Sequence, residues 1–376
     1  MRILITGGAG FIGSSLSLKL LEKGYKIRVI DNLSPQIHGE DPQKSELFLR
    51  IKNQVEFIYG DVRNKEDLEL ALKEVDVVVH LAAETGTGQS MYEVEKYVDV
   101  NINGTVNLLN IVAANPKQIK KIVVASSRAI YGEGKYKCET HGEVFPESRD
   151  DTNLSKGDFE AKCPKCFETV HVLSTSEDSR INPLSVYGFT KFGQENLVML
   201  TGKSLNIPAV ALRYQNVYGP GQSLKNPYTG ILSIFSTRIK NGNDLMIFED
   251  GKESRDFVYI DDVVDATIKA IEMDEANHKI FNVGTGKAVN VLEVAKTLIH
   301  CYQAEIPYKV TGHYRLGDIR HNFADLTKVE DDLFFNPKFS FQEGIRHFTD
   351  WVNSQEVEED LYEHAMLEMK EKGLYK

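Results

Sequence analysis

The sequence lacks long hydrophobic runs and carries fewer basic than acidic residues. No apolar stretch approaches the ~20 residues that are needed to span a bilayer. There are 44 Lys and Arg residues against 55 Asp and Glu residues, a formal net charge of −11. Nucleic acids and anionic membranes attract basic surfaces, so this balance argues against both as partners. We therefore expect no nucleic-acid partner and no membrane association.

The sequence is also poor in cysteine and leaves no room for a signal peptide before its first apolar strand. We therefore expect a cytoplasmic location, where the four cysteines are free thiols or metal ligands rather than disulfides. With 41% hydrophobic residues, a chain of 376 residues is long enough for two domains with a full core.

Short apolar runs alternate with helical patterns through the first half of the chain. Strands are predicted at residues 2–6, 26–30, 55–59, 75–81, 121–126 and 209–214, and helices at 12–23, 65–73, 103–115, 187–201 and 291–301. The strands are almost continuously apolar, as in parallel sheets that are covered on both faces. The pattern predicts an α/β fold with a doubly wound parallel sheet of the Rossmann type.

A glycine-rich turn follows the first strand and opens the first helix. Residues 7–13, Gly-Gly-Ala-Gly-Phe-Ile-Gly, let a pyrophosphate approach the helix N-terminus, where free N–H groups stabilise it. Asp31 lies 18 residues after Gly13, where it can accept hydrogen bonds from an adenosine ribose and repel a 2′-phosphate. The motif predicts NAD rather than NADP; the alternative is a plain glycine-rich turn. His80, at another strand end, is expected to be a core residue.

Three further residues fit a hydride-transfer site. The strand at 121–126 delivers Ser127 to the carboxyl edge of the sheet, where open α/β folds bind ligands. Tyr187 and Lys191 are four apart and share a helix face, although such a pair alone also fits an ordinary helix. A nearby ammonium and a nicotinamide cation would favour the phenolate of Tyr187, while Ser127 holds the substrate oxygen.

Together these motifs resemble the extended short-chain dehydrogenase/reductases of the NAD-dependent nucleotide-sugar epimerase/dehydratase family. The resemblance runs from residue 1 to about 348 outside an insertion, through residues 7–13, 61–62, 80–83, 101–105, 126–132, 187–191, 213–220, 255–259 and 315–318. It implies domains at residues 1–215 (NAD-binding) and 216–350 (smaller, substrate-binding, with some strands returning to the main sheet). We read residues 351–376 as an acidic helical tail whose run at 356–360 is solvated.

The resemblance also implies the residues that contact each ligand. NAD would be bound by Gly7, Gly10, Phe11, Ile12, Gly13, Asp31, Asn32, Asp61, Val62, Leu81, Ala82, Ala83, Asn101, Tyr187, Lys191 and Tyr214, the last near the nicotinamide. A nucleotide-diphosphate sugar would be bound by Ser127, Arg128, Asn216, Arg255 and Arg315. The arginines suit a diphosphate, although either of Arg255 and Arg315 alone could form a surface ion pair.

Helices starting near Met91 and Tyr187 carry apolar faces that this family pairs into a homodimer. The same apolar positions could equally be core of the monomer, so the homodimer is expected by analogy.

The residues after Ser127 limit which of the family's reactions the chain can catalyse. Arg128-Ala129 supplies neither carboxylate of the family's dehydratases and decarboxylases, and no cysteine of the 3,5-epimerases lies at 126–131. Inversion at C4 through a transient 4-keto sugar remains. Residues 125–134 and the insertion resemble the dTDP-L-rhamnose 4-epimerases, which make dTDP-6-deoxy-L-talose. A UDP-glucose or UDP-glucuronate 4-epimerase is the second reading; a non-catalytic NAD-binding regulator and a net oxidoreductase are alternatives from other classes.

The polar insertion at residues 132–180 contains two metal-binding knuckles. Cys138-x-x-His141 and Cys163-x-x-Cys166 are separated by 21 residues. One imidazole and three thiolates form a closed tetrahedral set for structural zinc. The alternatives are four unliganded side chains or a substitute ligand such as His171.

Overall fold

A computed structural model gives the architecture of the chain and describes residues 1–226, 228 and 230–376. The elements up to residue 131 are β1 (Arg2–Thr6), α1 (Phe11–Glu22), β2 (Lys26–Asp31), α2 (Pro35–His38), α3 (Glu46–Ile51), β3 (Glu56–Tyr59), α4 (Lys65–Leu72), β4 (Val77–His80), α5 (Thr87–Ser90), α6 (Val94–Val98), α7 (Gly104–Ala114) and β5 (Lys121–Ser127). A π-helical turn at Asp99–Asn103 joins α6 to α7, and 3-10 turns lie at Pro42–Lys44 and Arg128–Tyr131.

The insertion folds as a small unit of its own. Its elements are β6 (Tyr136–Cys138), β7 (Gly142–Val144), α8 (Asp151–Leu154) and β8 (His171–Val172). The three strands form an antiparallel sheet in the order β7-β6-β8, over a small core that includes Tyr136 and Val170.

The rest of the chain adds strands to two sheets. Its elements are α9 (Val186–Leu205), β9 (Ala209–Tyr214), β10 (Asn216–Tyr218), α10 (Ile231–Lys240), β11 (Leu245–Ile247), β12 (Ser254–Tyr259), α11 (Ile260–Glu272), β13 (Lys279–Val283), β14 (Ala288–Asn290), α12 (Val291–Cys301), β15 (Tyr308–Val310), β16 (His321–Asn322), α13 (Thr327–Leu333), α14 (Phe341–Ser354) and α15 (Tyr362–Glu371). A 3-10 turn lies at Asp274–Ala276.

The main sheet has seven parallel strands in the order β13-β9-β5-β4-β1-β2-β3, which confirms the predicted α/β fold with a large parallel sheet. Alternate residues of each strand face two separate cores. On β1, Ile3 and Ile5 lie in one core and Leu4 lies in the other. Burial of both faces explains why the strands are continuously apolar.

A second, smaller sheet stands beyond the carboxyl edge of the main sheet. It contains β10, β12 and β14, with β16 paired to β12. Because β10 follows β9 after one residue, the chain passes directly from the main sheet into the second sheet. The two sheets therefore border a common cleft, and the last strand residues Ser127 and Tyr214 are neighbours in register.

The C-terminal segment differs from its sequence prediction. Helix α14 continues to Ser354, so residue 351 lies inside a helix rather than at the start of a tail. The acidic run at 356–360 is not helical. The prediction of a helix face is therefore wrong for this run, whereas Glu356 and Glu359 are exposed as predicted. Asp360, at the end of the run, pairs with Arg238 at 3.2 Å and is mostly buried.

No helix in the described part of the chain combines the length and apolar character needed to cross a membrane.

Candidate active site

A cavity of about 560 Å³ lies between the carboxyl edge of the main sheet and the second sheet. One part of its wall comes from the β1–α1 turn, and another from the end of β5 and the start of α9. A third part comes from the second sheet and the loop that contains Arg315. Ligands bind at this edge of open α/β sheets.

The N-terminus of α1, which follows the β1–α1 turn, lies in the cavity wall. Gly10 is the N-cap residue of α1, and no side chain caps the helix. Gly7 has φ +65°, and a Cβ there would stand 2.8 Å from the Ala82 backbone, so glycine is required. The uncapped helix start and the bare turn fit a pyrophosphate, as an NAD site needs.

Asp31 ends β2 beside this turn. Its carboxylate accepts hydrogen bonds from the backbone N–H groups of Ala9 at 3.0 Å and Leu33 at 2.9 Å. Burial raises the pKa of Asp31. The carboxylate is therefore fixed at the cavity wall, where a ribose hydroxyl can reach it.

Asp61 lies at the same end of the cavity and is linked to Asn32. The Asn32 amide donates to Asp61 at 2.9 Å. Although burial opposes ionisation, hydrogen bonds from Arg63 lower the pKa of Asp61 to about 2. This end of the cavity therefore carries a second fixed negative charge.

Of the sixteen predicted NAD-binding residues, Asn101 is the one that does not line the cavity. It lies in the π-helical turn, is fully buried, and bonds through its amide to the Glu84 backbone and to Thr190 Oγ1 at 2.9 Å. The Asn101 amide holds the loop after β4 against α9, and its predicted contact with the cofactor stays a prediction.

Ser127 and Tyr187 meet because α9 packs directly on the turn after β5. Ser127 Oγ accepts from the Ala129 N–H at 3.1 Å, which fixes its rotamer. Gly188 allows the approach, since a Cβ there would lie 2.6 Å from the Ala129 carbonyl oxygen. Burial raises the pKa of Tyr187, while a hydrogen bond with Ser127 and the charge of Arg128 lower it.

Helix α9 is held in this position by a buried ion pair. Arg213 of β9 donates to both carboxylate oxygens of Glu195, at 3.0 and 2.6 Å. Ser185 caps the helix start by accepting from the Gly188 N–H at 3.0 Å. The register of Tyr187 against the sheet is thus fixed from both sides.

Lys191 lines the cavity one turn after Tyr187, but its nearest partner was missed in the sequence. Lys191 Nζ donates to Gln194 Oε1 at 2.7 Å, and burial lowers the pKa of Lys191 to about 7. The expectation that the Lys191 ammonium favours the Tyr187 phenolate stays a prediction, and the structure adds Arg128 as a nearby cation that lowers the pKa of Tyr187. The signal for Gln194 was available: it lies three residues after Lys191 on the same helix face.

His80 is a core residue, as predicted. Its Nδ1 lies 2.7 Å from Thr6 Oγ1 and its Nε2 lies 2.9 Å from Thr105 Oγ1. Burial lowers the pKa of His80 to about 3, so the ring is neutral. Gln194 joins this cluster through its amide, 3.2 Å from His80 Nε2.

The residues predicted to bind substrate all line the cavity. Arg128 Nε donates to Asn216 Oδ1 at 2.9 Å, and burial with the nearby charge of Arg255 lowers the pKa of Arg128 to about 9. Arg255 donates to backbone carbonyls, including that of Ile319 at 2.7 Å. Arg315 pairs with Asp318 at 2.8 Å. Three guanidinium groups thus converge on one cavity of an acidic protein.

Tyr214 also lines the cavity, but its hydroxyl is already engaged. It lies 2.8 Å from Thr267 Oγ1 of α11, and burial raises its pKa. Only the Tyr214 ring is therefore left for a contact with a cofactor.

The sequence analysis did not predict a pair of carboxylates in the cavity wall next to the insertion. Glu249 and Glu253 both line the cavity, and burial with the charge of Glu249 raises the pKa of Glu253 to about 7. Buried arginines tie this wall to the insertion. Arg149 of the insertion contacts Glu249 at 2.7 Å, and Arg320 contacts both Glu249, at 2.8 Å, and Glu160 of the insertion, at 2.6 Å.

The four predicted metal ligands of the insertion come together. Their ligand atoms all lie within 4.8 Å of one another. Cys138 Sγ is 3.7 Å from Cys166 Sγ and 3.6 Å from His141 Nδ1, which is 3.5 Å from Cys163 Sγ. Ligands of tetrahedral zinc are separated by about 3.5–3.8 Å, so the donor set fits the ion. His171, the alternative ligand, is outside this cluster.

A sequence model of the NAD dependent epimerase/dehydratase family matches residues 3–152 and 166–284. The chain is 35% identical over 360 residues to dTDP-L-rhamnose 4-epimerase of Burkholderia thailandensis, covering 95% of this chain and 96% of the relative. UDP-glucose 4-epimerase of Thermotoga maritima, solved with UDP-glucose, matches with a TM-score of 0.74 and 31% identity, covering 94% of this chain and 99% of the other. UDP-glucuronic acid 4-epimerase of Bacillus cereus, solved with UDP-glucuronic acid and NAD, matches at 27% identity and a TM-score of 0.76 with the same coverage.

Proposed function

The chain belongs to the NAD dependent epimerase/dehydratase family, and from that premise we propose that it inverts C4 of a nucleotide-diphosphate sugar through a transient 4-keto sugar. The observation that carries the proposal is the meeting of Ser127, Tyr187 and Lys191 with a bare glycine turn and three arginines in one cavity. A hydride-transfer pair and an anion-binding wall are both needed for this reaction.

Each residue of the cavity has a separate role in this reaction. NAD, when bound along the β1–α1 turn and Asp31, supplies a hydride acceptor for C4 that is regenerated when the hydride returns. Ser127 Oγ holds the C4 oxygen, and Tyr187 takes the hydroxyl proton and later restores it. Tyr187 is a phenolate before it takes the proton and a neutral phenol until it restores it, and the charge of Arg128 stabilises the phenolate.

The residues after Ser127 favour C4 inversion over elimination. Arg128 and Ala129 follow Ser127, so no carboxylate stands there to remove a proton from the sugar carbons. The hydroxyl proton and one hydride are then the only atoms in motion. Because the cofactor ends each cycle unchanged, it can remain bound between turnovers, which disfavours a net oxidoreductase.

We favour dTDP-L-rhamnose and dTDP-6-deoxy-L-talose as the substrate pair. Support comes from the Burkholderia relative, which is similar over nearly the whole length of both chains, and from residues 125–134 after β5. The second candidate is a UDP-glucose or UDP-glucuronate 4-epimerase. A specific observation favours the glucuronate form: Arg128 is a half-buried cation beside Tyr187, where it could pair with a C6 carboxylate.

We also propose one structural zinc ion bound by Cys138, His141, Cys163 and Cys166. Support comes from the mutual spacing of their ligand atoms and from the N–H of Lys165, which lies 3.5 Å from Cys163 Sγ. Three thiolates and one imidazole leave no open position, so the ion would hold the insertion together and would not act on substrate.

We further propose that the protein is a homodimer. Helix α9 presents Phe189 and Leu200, 59% and 65% exposed, on one outer face because they are eleven residues apart. Val94 of α6 is also exposed. Light scattering of the purified chain should give twice the chain mass, and Leu200→Glu should give the mass of one chain; a monomeric wild type contradicts this proposal.

The experiment that tests the function is a substrate panel on the purified protein. dTDP-L-rhamnose, UDP-glucose and UDP-glucuronate are each incubated with it, and C4 inversion is followed by NMR. Denaturation of the same protein should release NAD, and turnover should need no added cofactor. Turnover of none of the three, with a partner whose binding changes with NAD, would instead support a regulator. An empty site that exchanges NADH freely would support net redox chemistry.

A further inference from the structure

The C-terminal segment, residues 355–376, packs one of its faces against the cavity. On α15, the face formed by Tyr362, Ala365, Met366 and Met369 is buried, whereas Leu367 on the opposite face is 62% exposed. Tyr362 and Met366 are also part of the cavity wall. The helix α15 therefore does more than cover the protein core, because two of its side chains also face the cleft.

This segment touches both sides of the cleft. On the side of the second sheet, α15 packs against Met246, Phe248 and Tyr228. On the side of the main sheet, the Met369 sulfur lies 3.4 Å from where a Cβ of Gly88 would stand, and Lys372 Nζ is 5.9 Å from the centre of the Tyr92 ring. The segment therefore spans the cleft at one end.

The last residues of the segment support the loop that carries Arg315. The backbones of Tyr314 and Lys376 exchange two hydrogen bonds, of 2.9 and 3.0 Å, and the Leu316 N–H donates to the Leu374 carbonyl at 2.9 Å. Arg315 lies between these anchor points, with its guanidinium 5.3 Å from the centre of the Phe248 ring. The chain end thus forms a strand-like pair with the segment that positions this arginine.

Tyr362 is fixed in place from the side of the second sheet. The Arg238 guanidinium stacks 4.3 Å from the centre of its ring and pairs with Asp360 at 3.2 Å. Tyr362 and Met366 face Met246 and Phe248, so one end of the cavity is an apolar slot next to Arg315. An apolar slot next to an arginine suits a nucleoside diphosphate. Its aromatic base would lie in the slot, and its phosphates would pair with Arg315.

We propose that residues 355–376 form a wall of the substrate cavity, in which Tyr362 and Met366 contact the nucleoside of the substrate and the chain end positions Arg315. This inference rests on the proposed function, because it takes the ligand to be a nucleoside diphosphate sugar. Tyr362 and Met366 then help to determine which base is accepted.

The test compares Met366→Ala and Tyr362→Ala with Leu367→Ala, a control on the exposed face of the same helix. Calorimetric titration of the NAD-loaded protein with dTDP and with UDP gives the Kd for each. We expect Met366→Ala and Tyr362→Ala to raise the Kd at least about fivefold, and Leu367→Ala to change it less than about twofold. Retained NAD and the melting temperature are measured on every variant.

A second variant keeps the test sharp if alanine loosens the helix. Met366→Trp should fill the slot, raising the Kd for dTDP and UDP and the KM of the nucleotide sugar while retaining bound NAD. Wild-type-like Kd values in a folded Met366→Trp or Met366→Ala protein would overturn the wall and leave the proposed function standing. A wild-type protein that binds neither dTDP nor UDP would contradict the proposed function and, with it, the wall.

Discussion

The Nε atom of Arg128 donates to Oδ1 of Asn216 at 2.9 Å, joining the residue after Ser127 to the first strand of the second sheet. This bond crosses the cleft and holds a guanidinium beside the half-buried phenol of Tyr187. The charge of Arg128 is one of the two influences that lower the pKa of Tyr187. The two sheets together thus place a cation beside the phenol of Tyr187.

Replacing Arg128 should change the pH dependence of turnover. Arg128→Met removes a positive charge, so the pKa of Tyr187 rises and less phenolate is present near neutrality. We expect kcat to fall about tenfold or more and its rising pH limb to move to higher pH. Arg128→Lys is the matched control and should retain most of the lower pKa. A pH–rate profile checks this, and an unmoved limb in Arg128→Met contradicts the assigned role.

Replacing Asp31 should relax the choice of cofactor. Its carboxylate is fixed by the Ala9 and Leu33 N–H groups, where it would repel a 2′-phosphate. We expect Asp31→Ser to weaken NAD binding about tenfold and to permit NADP binding. The measurement is the Kd for each cofactor on apoprotein, with the surface variant Asp41→Ser as the control. Unchanged discrimination against NADP in Asp31→Ser would disprove this role.

His80 should make folding stability depend on pH. Burial lowers its folded-state pKa to about 3 from 6.5, so the unfolded chain binds a proton first as pH falls. Its contribution is complete above pH 6.5 and is lost progressively as pH falls toward 3, by about 1.4 kcal/mol per pH unit.

Denaturant unfolding of wild type and His80→Asn across this range measures the effect. The stability advantage of the wild type should shrink as pH falls below 6.5. Parallel pH dependences for the two proteins would show that His80 is not kept neutral by the fold.

The zinc proposal predicts a defined metal content. Elemental analysis of purified protein should find about one zinc per chain, and Cys138→Ser should lower both zinc content and melting temperature. Cys301→Ser, which removes a cysteine outside the cluster, should leave the zinc content at the wild-type value. If the wild-type protein contains no zinc and Cys138→Ser is as stable as the wild type, the proposed metal site is contradicted.

The parts of the site that depend on local sequence were predictable. The glycine turn, Asp31 and the pair of Tyr187 and Lys191 lie within single strand–turn–helix units, where spacing alone sets which side chains share a face. The parallel arrangement of the strands in the main sheet was also predictable, because the strands are almost continuously apolar.

The remaining features depend on packing between distant segments. Asn101 lies in a π-helical turn, which the periodicity of a regular α-helix does not predict. Its amide bonds to Thr190, which is 89 residues away in the sequence. The acidic run at 356–360 reads as solvated, but Arg238 more than a hundred residues earlier draws Asp360 into a contact. A charge pattern by itself does not reveal such a partner.

The most direct test of the central claim uses dTDP-L-rhamnose, or whichever panel sugar is turned over, with deuterium at C4. The account predicts that wild type inverts C4 with the deuterium fully retained, because the hydride leaves and returns within one cavity. It also predicts that Tyr187→Phe, although folded and loaded with NAD, inverts C4 at least about a hundredfold more slowly. Loss of the deuterium to solvent, or wild-type turnover by Tyr187→Phe, would contradict it.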